Sequence, residues 1–336
     1  MNALPSLRQL AYLSTLADTL NFTQAAQACF VTQSTLSGGL QELERSLGAQ
    51  LVERSRQRVA LTPAGELALA RGRHLLALAR DLVEAVGQAA QPMAGLMRLG
   101  AIPTVAPFLL PPLLRGLRER HPDLQLALRE DQTEPLLARL RAGELDFALI
   151  ALPWDTTGLR VTPLLAEELW LVAPPDDPAL RRANLRVQAI DPQRLMLLAE
   201  GHCLRSHTLA GCGLSDGANP QGIEATSLVT LVQMVEEGLG IALLPEMALK
   251  AGLLADGPLL ARPLAAPAPR REIALVARDS SARVAAFEAI AGLARQLARR
   301  PAGQRRRVTG GTASAAAIGA ANHPRAGRGQ PPRSAS

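Results

Sequence analysis

The run Gly-His-Cys-Leu-Arg at 201–205 sets a thiol, Cys203, between two basic side chains, His202 and Arg205. A second thiol, Cys212, follows after eight intervening residues. The thiolate is the nucleophile in cysteine chemistry, so a reactive cysteine needs solvent access and neighbours that favour its anion; His202 and Arg205 are of that type. The reaction open to such a thiol is oxidation by peroxide to a sulfenic acid. Taken alone, two cysteines in an α/β chain are more commonly small buried hydrophobes, and residue types and spacing leave both readings open. Cys29 falls in a short helical segment and reads as core. Three cysteines in 336 residues are too few for a secreted disulfide framework, and no paired C-x2-C spacing suits structural zinc, so neither a metal nor a cofactor is expected.

The elements that must position these residues follow from periodicity. Leu7, Leu10, Leu13 and Leu16 fall at helical spacing. A short helix is expected from about Thr23, read as its N-cap, to Cys29, and a third from near Thr32 with Leu36, Leu40, Leu43 and Leu47 on one face. Gly38-Gly39 is expected to interrupt that third helix. AQLVERSRQRVALTPAG alternates as a short hairpin. A long helix over 64–92 carries a narrow seam, Leu75, Leu78, Leu82 and Val86, which predicts pairing with another helix. From Met97 strands alternate with helices, predicting a parallel-sheet α/β region. Within it, the segment between LMLLAE and SLVTLVQMVEEGLG reads as a loop.

Residues 301–336 hold six arginines and no acids, which accounts for the formal net charge of +6 and leaves residues 1–300 close to neutral. The basic balance therefore reports a tail expected to be disordered, and is weak grounds for nucleic-acid binding by the folded part. No run of about 18 apolar residues predicts a membrane span, and the N-terminus has no secretion signal, so a cytoplasmic protein is expected.

Three helices with an Ala25-Ala26 pair, a tight turn and a Ser/Thr/Gln-rich third helix make a helix-turn-helix pattern. Gln33, Ser34, Thr35 and Ser37 stand near the start of the third helix, where base edges would be met, with Arg54, Arg56 and Arg58 in the hairpin suited to phosphates. The string NFTQAAQACFVTQSTLSGGLQELERSLGAQLVERSRQRVALTPAG resembles the winged helix-turn-helix of LysR-type transcriptional regulators, with Ser34 where the family often has proline. The resemblance extends over 1–300. It implies a DNA-binding domain over 1–65, a linker and dimerisation helix over 66–92, and a regulatory domain over 93–300. That last region would hold two α/β subdomains like a periplasmic binding protein, about 93–165 with 271–300, and about 166–270.

LLAEGHCLRSHTLAGCG, with GAIPTVAPFLLP, EDQTEPLLARL and EATSLVTLVQMVEEGLGIALLP, resembles the peroxide-sensing members of that family. This implies a peroxidatic Cys203, a resolving Cys212 and a reversible disulfide between them. By loop entropy alone that bond would contribute about 2.5–3 kcal/mol, enough for a shift between two packings. Gly201, Gly211 and Gly213 would ease the refolding of the loop. The resemblance also implies that the hydroxyls of Thr104 and Thr133 hold peroxide; from the residues alone each reads as a helix N-cap. The implied partners are double-stranded DNA, hydrogen peroxide, further copies of the chain in a homotetramer, and RNA polymerase. An ordinary LysR-type regulator with a small organic effector, or a thiol peroxidase, are the competing functions. The absent C-x-x-C and the winged helix weigh against an enzyme.

Overall fold

Residues 4–54, 59–87, 93–215 and 222–298 are described by a computed structural model. Ser6 opens the first helix, α1 (Leu7–Thr19), through a reciprocal capping box with Gln9. Asn21, rather than Thr23, caps α2 (Phe22–Ala28): its side-chain oxygen accepts from the amides of Thr23 and Gln24, and Thr23 already lies inside the helix. Thr32 caps α3 (Gln33–Leu47), and Gly48 closes it in the left-handed conformation.

The expected break at Gly38-Gly39 is absent: α3 runs through both glycines. Burial of Leu36, Leu40 and Leu43 against Leu13 and Leu16 offsets the propensity cost of about 1 kcal/mol per glycine. At Gly39 a side chain would not fit, because a Cβ there would lie 2.9 Å from the ring of Tyr12. Strands β1 (Val52–Arg54) and β2 (Val59–Leu61) pair antiparallel. Glu44 of α3 anchors this hairpin by accepting from the amides of Leu51 and Val52 at 2.8 and 3.1 Å.

The long helix α4 spans Pro63–Gly87. Its expected last turn, residues 88–92, lies outside the described residues, as does the tail from 301. One face of α4 rests on α1. The seam of Leu75, Leu78, Leu82 and Val86 faces solvent in the single chain.

Beyond Met93 come β3 (Gly95–Ala101), α5 (Ala106–Arg120), β4 (Leu124–Glu130), α6 (Thr133–Arg141), β5 (Phe147–Leu152) and β6 (Leu159–Ala173). There follow β7 (Leu197–Leu198), α7 (Cys203–Gly211), β8 (Glu224–Ala225), α8 (Leu228–Glu236), β9 (Ala242–Pro245), α9 (Glu246–Lys250), β10 (Leu260–Arg262), β11 (Arg270–Arg278) and α10 (Val284–Ala298). The main sheet is mixed, not parallel. β3 lies parallel to β4 and β5, but β11 inserts antiparallel between β5 and β6. Apolar runs such as DFALIAL and REIALVAR mark buried strands without marking direction, and the return strand follows the second set of elements.

Two apolar cores result. The first gathers β3, β5, α5, α6 and α10; the second gathers the end of β6 with β9, α8 and the segment 185–198. β6 belongs to both: Leu159–Glu168 run along β11 with one bulge, at Leu164, and Leu169–Val172 pair with β9. The segment read as a loop is helical over Cys203–Gly211, which matters for everything below.

Helix α4 is tied to the first core by a buried ion pair, beside the Arg80 bond to the Gly143 carbonyl. Arg278 of β11 donates to Asp81 of α4 at 2.7 Å and to the carbonyls of Leu140 and Leu145, while Ser280 also donates to Asp81. Removing one partner strands a buried charge. Asp81→Ala should lower stability by about 3–5 kcal/mol in urea unfolding; a change below about 1 kcal/mol would show that the pair is not what fastens α4.

Candidate functional site

Cys203 is the first residue of α7 and Cys212 its C-cap. Both are free thiols; Cys203 is 6% exposed and Cys212 half-buried. Although α7 follows the strands of the second core, the Cys203 side chain packs into the first. The thiol thus lies where the two cores meet, at a helix N-terminus, where the peptide dipoles favour negative charge. Burial pushes the Cys212 thiol up from its ordinary value.

The turn that delivers Cys203 rests on the start of α6. Gln132 donates its side-chain amide to the Glu200 carbonyl at 3.1 Å. Gly201 has φ +85°, and a Cβ on it would fall 2.1 Å from Gln132 Oε1. Neither threonine hydroxyl caps a helix. Gln132, not Thr133, is the α6 cap, and Val105, not Thr104, that of α5. Thr133, 1% exposed, has a buried Oγ1 with no hydrogen-bond partner. The hydroxyl of Thr104 accepts from Arg271 Nη1 at 2.7 Å, which keeps its own proton for another acceptor. Arg271 in turn pairs with Glu167 at 2.8 Å, both side chains being fully buried, and Glu167 accepts from the Met247 amide at 2.7 Å.

The expected cations beside Cys203 are differently disposed. Burial pushes His202 down from the ordinary histidine value. Arg205 donates to the Leu198 carbonyl and to Glu224, at 3.0 and 2.9 Å, fastening α7 to β7 and β8. A third basic side chain, His207, stands one helical turn along from Cys203 and contacts its backbone. Its Nδ1 is 2.6 Å from the Cys203 carbonyl oxygen and its Nε2 2.7 Å from that of Leu152.

At the other end of the chain Gln33, Ser34 and Thr35 stand exposed at the start of α3, with Ser37 half-buried. The Thr23 hydroxyl donates to Gln33 Oε1 at 3.3 Å, joining α2 to this surface. Cys29 packs against the core below. Arg54 is in β1, its side chain outside the described residues, as are Arg56 and Arg58 altogether. Among the described residues no group of His, Cys, Asp and Glu is placed to hold a metal, and no helix is long and apolar enough to cross a membrane.

Two family models match this arrangement: the bacterial regulatory helix-turn-helix protein of the lysR family over residues 7–66, and the LysR substrate binding domain over 90–299. The chain belongs to the LysR family of transcriptional regulators. Among LysR-family relatives, the HTH-type transcriptional regulator EstR of Acinetobacter baylyi is 46% identical over 88% of this chain and 98% of its own. The probable hydrogen peroxide-inducible genes activator of Streptomyces viridosporus is 41% identical, over 88% and 95%. Escherichia coli OxyR is 36% identical, over 85% and 93%. Of solved structures, a full-length OxyR cysteine variant from Pseudomonas aeruginosa superposes with a TM-score of 0.72 at 34% identity, covering 87% of this chain and 95% of that one. A cysteine variant of Corynebacterium glutamicum OxyR with hydrogen peroxide bound gives 0.59 at 34%, over 88% and 94%.

Three site residues of this LysR regulator escaped the sequence reading. His207 is four residues after Cys203, a signal legible only once the segment is known to be helical. Arg271 and Glu167 face each other across β11 and β6, and nothing short of the strand register reveals them. The tight seating of the α7 turn yields a test. Gly201→Ala should cost stability through both its φ, about 1–2 kcal/mol, and the clash with Gln132. Gln132→Ala in the same chain should restore the clash part alone; full recovery of the thermal midpoint would show that the backbone there is unstrained.

Proposed function

We propose that this LysR-family regulator is a peroxide-responsive transcription factor, switched by a reversible disulfide between Cys203 and Cys212. The observation that carries it is a reduced thiol at the α7 N-terminus, on a turn seated against Gln132 at the start of α6, where the next residue, Thr133, has an unpartnered, buried hydroxyl. A buried hydroxyl without a partner costs about 1–3 kcal/mol, which a small polar ligand would recover. Hydrogen peroxide fits, since it both donates and accepts, and Thr104 keeps a proton for it. The peroxide-named relatives and the peroxide-bound neighbour support the same reading.

In the proposed step Cys203 Sγ attacks one peroxide oxygen, the O–O bond breaks, and the leaving hydroxide takes a proton to become water. The sulfenic acid then condenses with the Cys212 thiol, forming S–S and releasing a second water. Cys203 and Cys212 lie nine residues apart along α7, about 13 Å at 1.5 Å per residue, whereas bridged cysteines have Cα atoms about 4.4–6.8 Å apart. The disulfide therefore requires α7 to unwind. His202 would act as a neutral donor and Arg205, with Glu224, as the fastening that must be remade.

The same proposal assigns residues 1–65 to DNA binding, 66–92 to dimerisation, and 93–300 to regulation, with subdomains 93–165 plus 271–300 and 166–270. Thr23, Gln33, Ser34, Thr35 and Ser37 would meet bases, and Arg54, Arg56 and Arg58 phosphates. The α4 seam would pair two chains, and two such dimers would bind an extended site in reach of RNA polymerase in the cytoplasm. The 46% identity to EstR favours a second reading, a regulator of this fold answering to a different effector.

Peptide mapping after peroxide separates the two. A Cys203–Cys212 linkage is expected in the wild type, and a dimedone-trappable sulfenic acid at Cys203 in Cys212→Ser; no linkage at stoichiometric peroxide would leave only the second reading. Thr133→Val should slow the oxidation without preventing it. Footprinting of reduced and oxidised protein on upstream DNA should give different patterns. Replacing Leu78 and Leu82 by aspartate should yield monomers in sedimentation; unchanged oligomers would refute the role of the seam.

A further inference from the structure

His207 is bound in a way that fixes its charge. Nδ1 is 2.6 Å from the Cys203 carbonyl oxygen and Nε2 is 2.7 Å from the Leu152 carbonyl oxygen. A carbonyl oxygen only accepts, so both ring nitrogens must donate, and a neutral imidazole has one N–H. The first contact is within α7 and exists only while residues 203–207 are helical. The second crosses from α7 to the end of β5, that is, from the second set of elements to the first core. We propose that in the reduced protein His207 is an imidazolium that holds α7 closed against β5, and that it gives up its proton when α7 unwinds. His207 is thus a positioning residue for the thiol reaction, and makes the switch sensitive to pH. This rests on the disulfide reading above.

The surroundings fit that role. Burial alone would push His207 down, but hydrogen bonding to the Cys203 side chain and to the Leu152 and Cys203 carbonyls overcomes it and holds His207 above its ordinary value. Among the described groups, Cys203 is the titratable side chain that acts on the ring. On β11, Arg271 is engaged by Glu167 and Thr104, and Arg270 and Glu272 are exposed. β7 carries no titratable side chain. Asp155, beyond β5, is occupied in capping Thr157. On α7 itself Arg205 pairs with Glu224, and at its N-cap burial pushes His202 down from its ordinary value.

The balance is as follows. Two thiols lose two electrons and two protons and become one disulfide; hydrogen peroxide accepts both and becomes two waters. His207 releases a third proton to solvent as its two carbonyl partners leave. Because the reduced-state value is raised, the protonated ring favours the closed helix fully below the ordinary histidine range. That contribution is lost as pH rises through the raised value.

Two measurements on the full chain test this. In the reduced wild type, ¹⁵N shifts of labelled histidine should show both His207 ring nitrogens protonated near neutral pH; a neutral tautomer overturns the proposal without recourse to any variant. In glutathione buffers, thiol–disulfide exchange is proton-neutral below the thiol range. The ratio of disulfide to dithiol at fixed glutathione should therefore climb with pH in the wild type, above the ordinary histidine range, at a limiting slope of about tenfold per pH unit. His207→Gln should be flat. Identical profiles for the two proteins overturn the proposal alone. Absence of any Cys203–Cys212 disulfide in the wild type would overturn the redox reading and this inference together.

Discussion

A nine-residue helix with one cysteine as its first residue and another as its C-cap is incompatible with a bond between those cysteines, and the proposed switch depends on that incompatibility. While α7 is formed, Cys203 and Cys212 are held about 13 Å apart along its axis. The helix is short, and its own propensity is low: His, Cys, Ser, Thr and Gly make up most of it. It persists through tertiary fastenings: Arg205 to Glu224 and the Leu198 carbonyl, His207 to the Leu152 carbonyl, and Cys203 in the first core. An element held from outside can be released by changing one of its ends.

The two cores give that release somewhere to act. They share β6, and α7 bridges them, since it follows the strands of one and inserts its first side chain into the other. The Glu167–Arg271–Thr104 set stays fully buried at the same junction. Breaking such a pair is expensive, so the proposed unwinding of α7 would leave this set in place. Asp81 and Arg278 connect the first core to the linker helix, which leads directly to the DNA-binding module.

Much of this was legible in the residues. The leucine spacing of α1 and α3, the hairpin and the long helix α4 are local, and local patterns survive folding. Cys203, Cys212, Thr104 and Thr133 were singled out by type and by resemblance, and the structure sets Thr133 on the element that supports the Cys203 turn. What was missed depended on distant contacts. The α7 segment carries too little apolar periodicity to announce a helix, so His207 had no visible relation to Cys203. The direction of β11 and the Arg271–Glu167 register arise from pairing across a hundred residues. Arg205 looked like a partner for the thiol because it is near in sequence, but Glu224, nineteen residues on, holds it.

The central claim, that the disulfide and α7 exclude each other, is tested most directly by amide hydrogen exchange on reduced and peroxide-oxidised protein. Protection across residues 204–211 should be lost on oxidation, while β6 and β11 keep theirs. A protein that carries the Cys203–Cys212 bond, shown by mass, with α7 amides as protected as before would contradict the account.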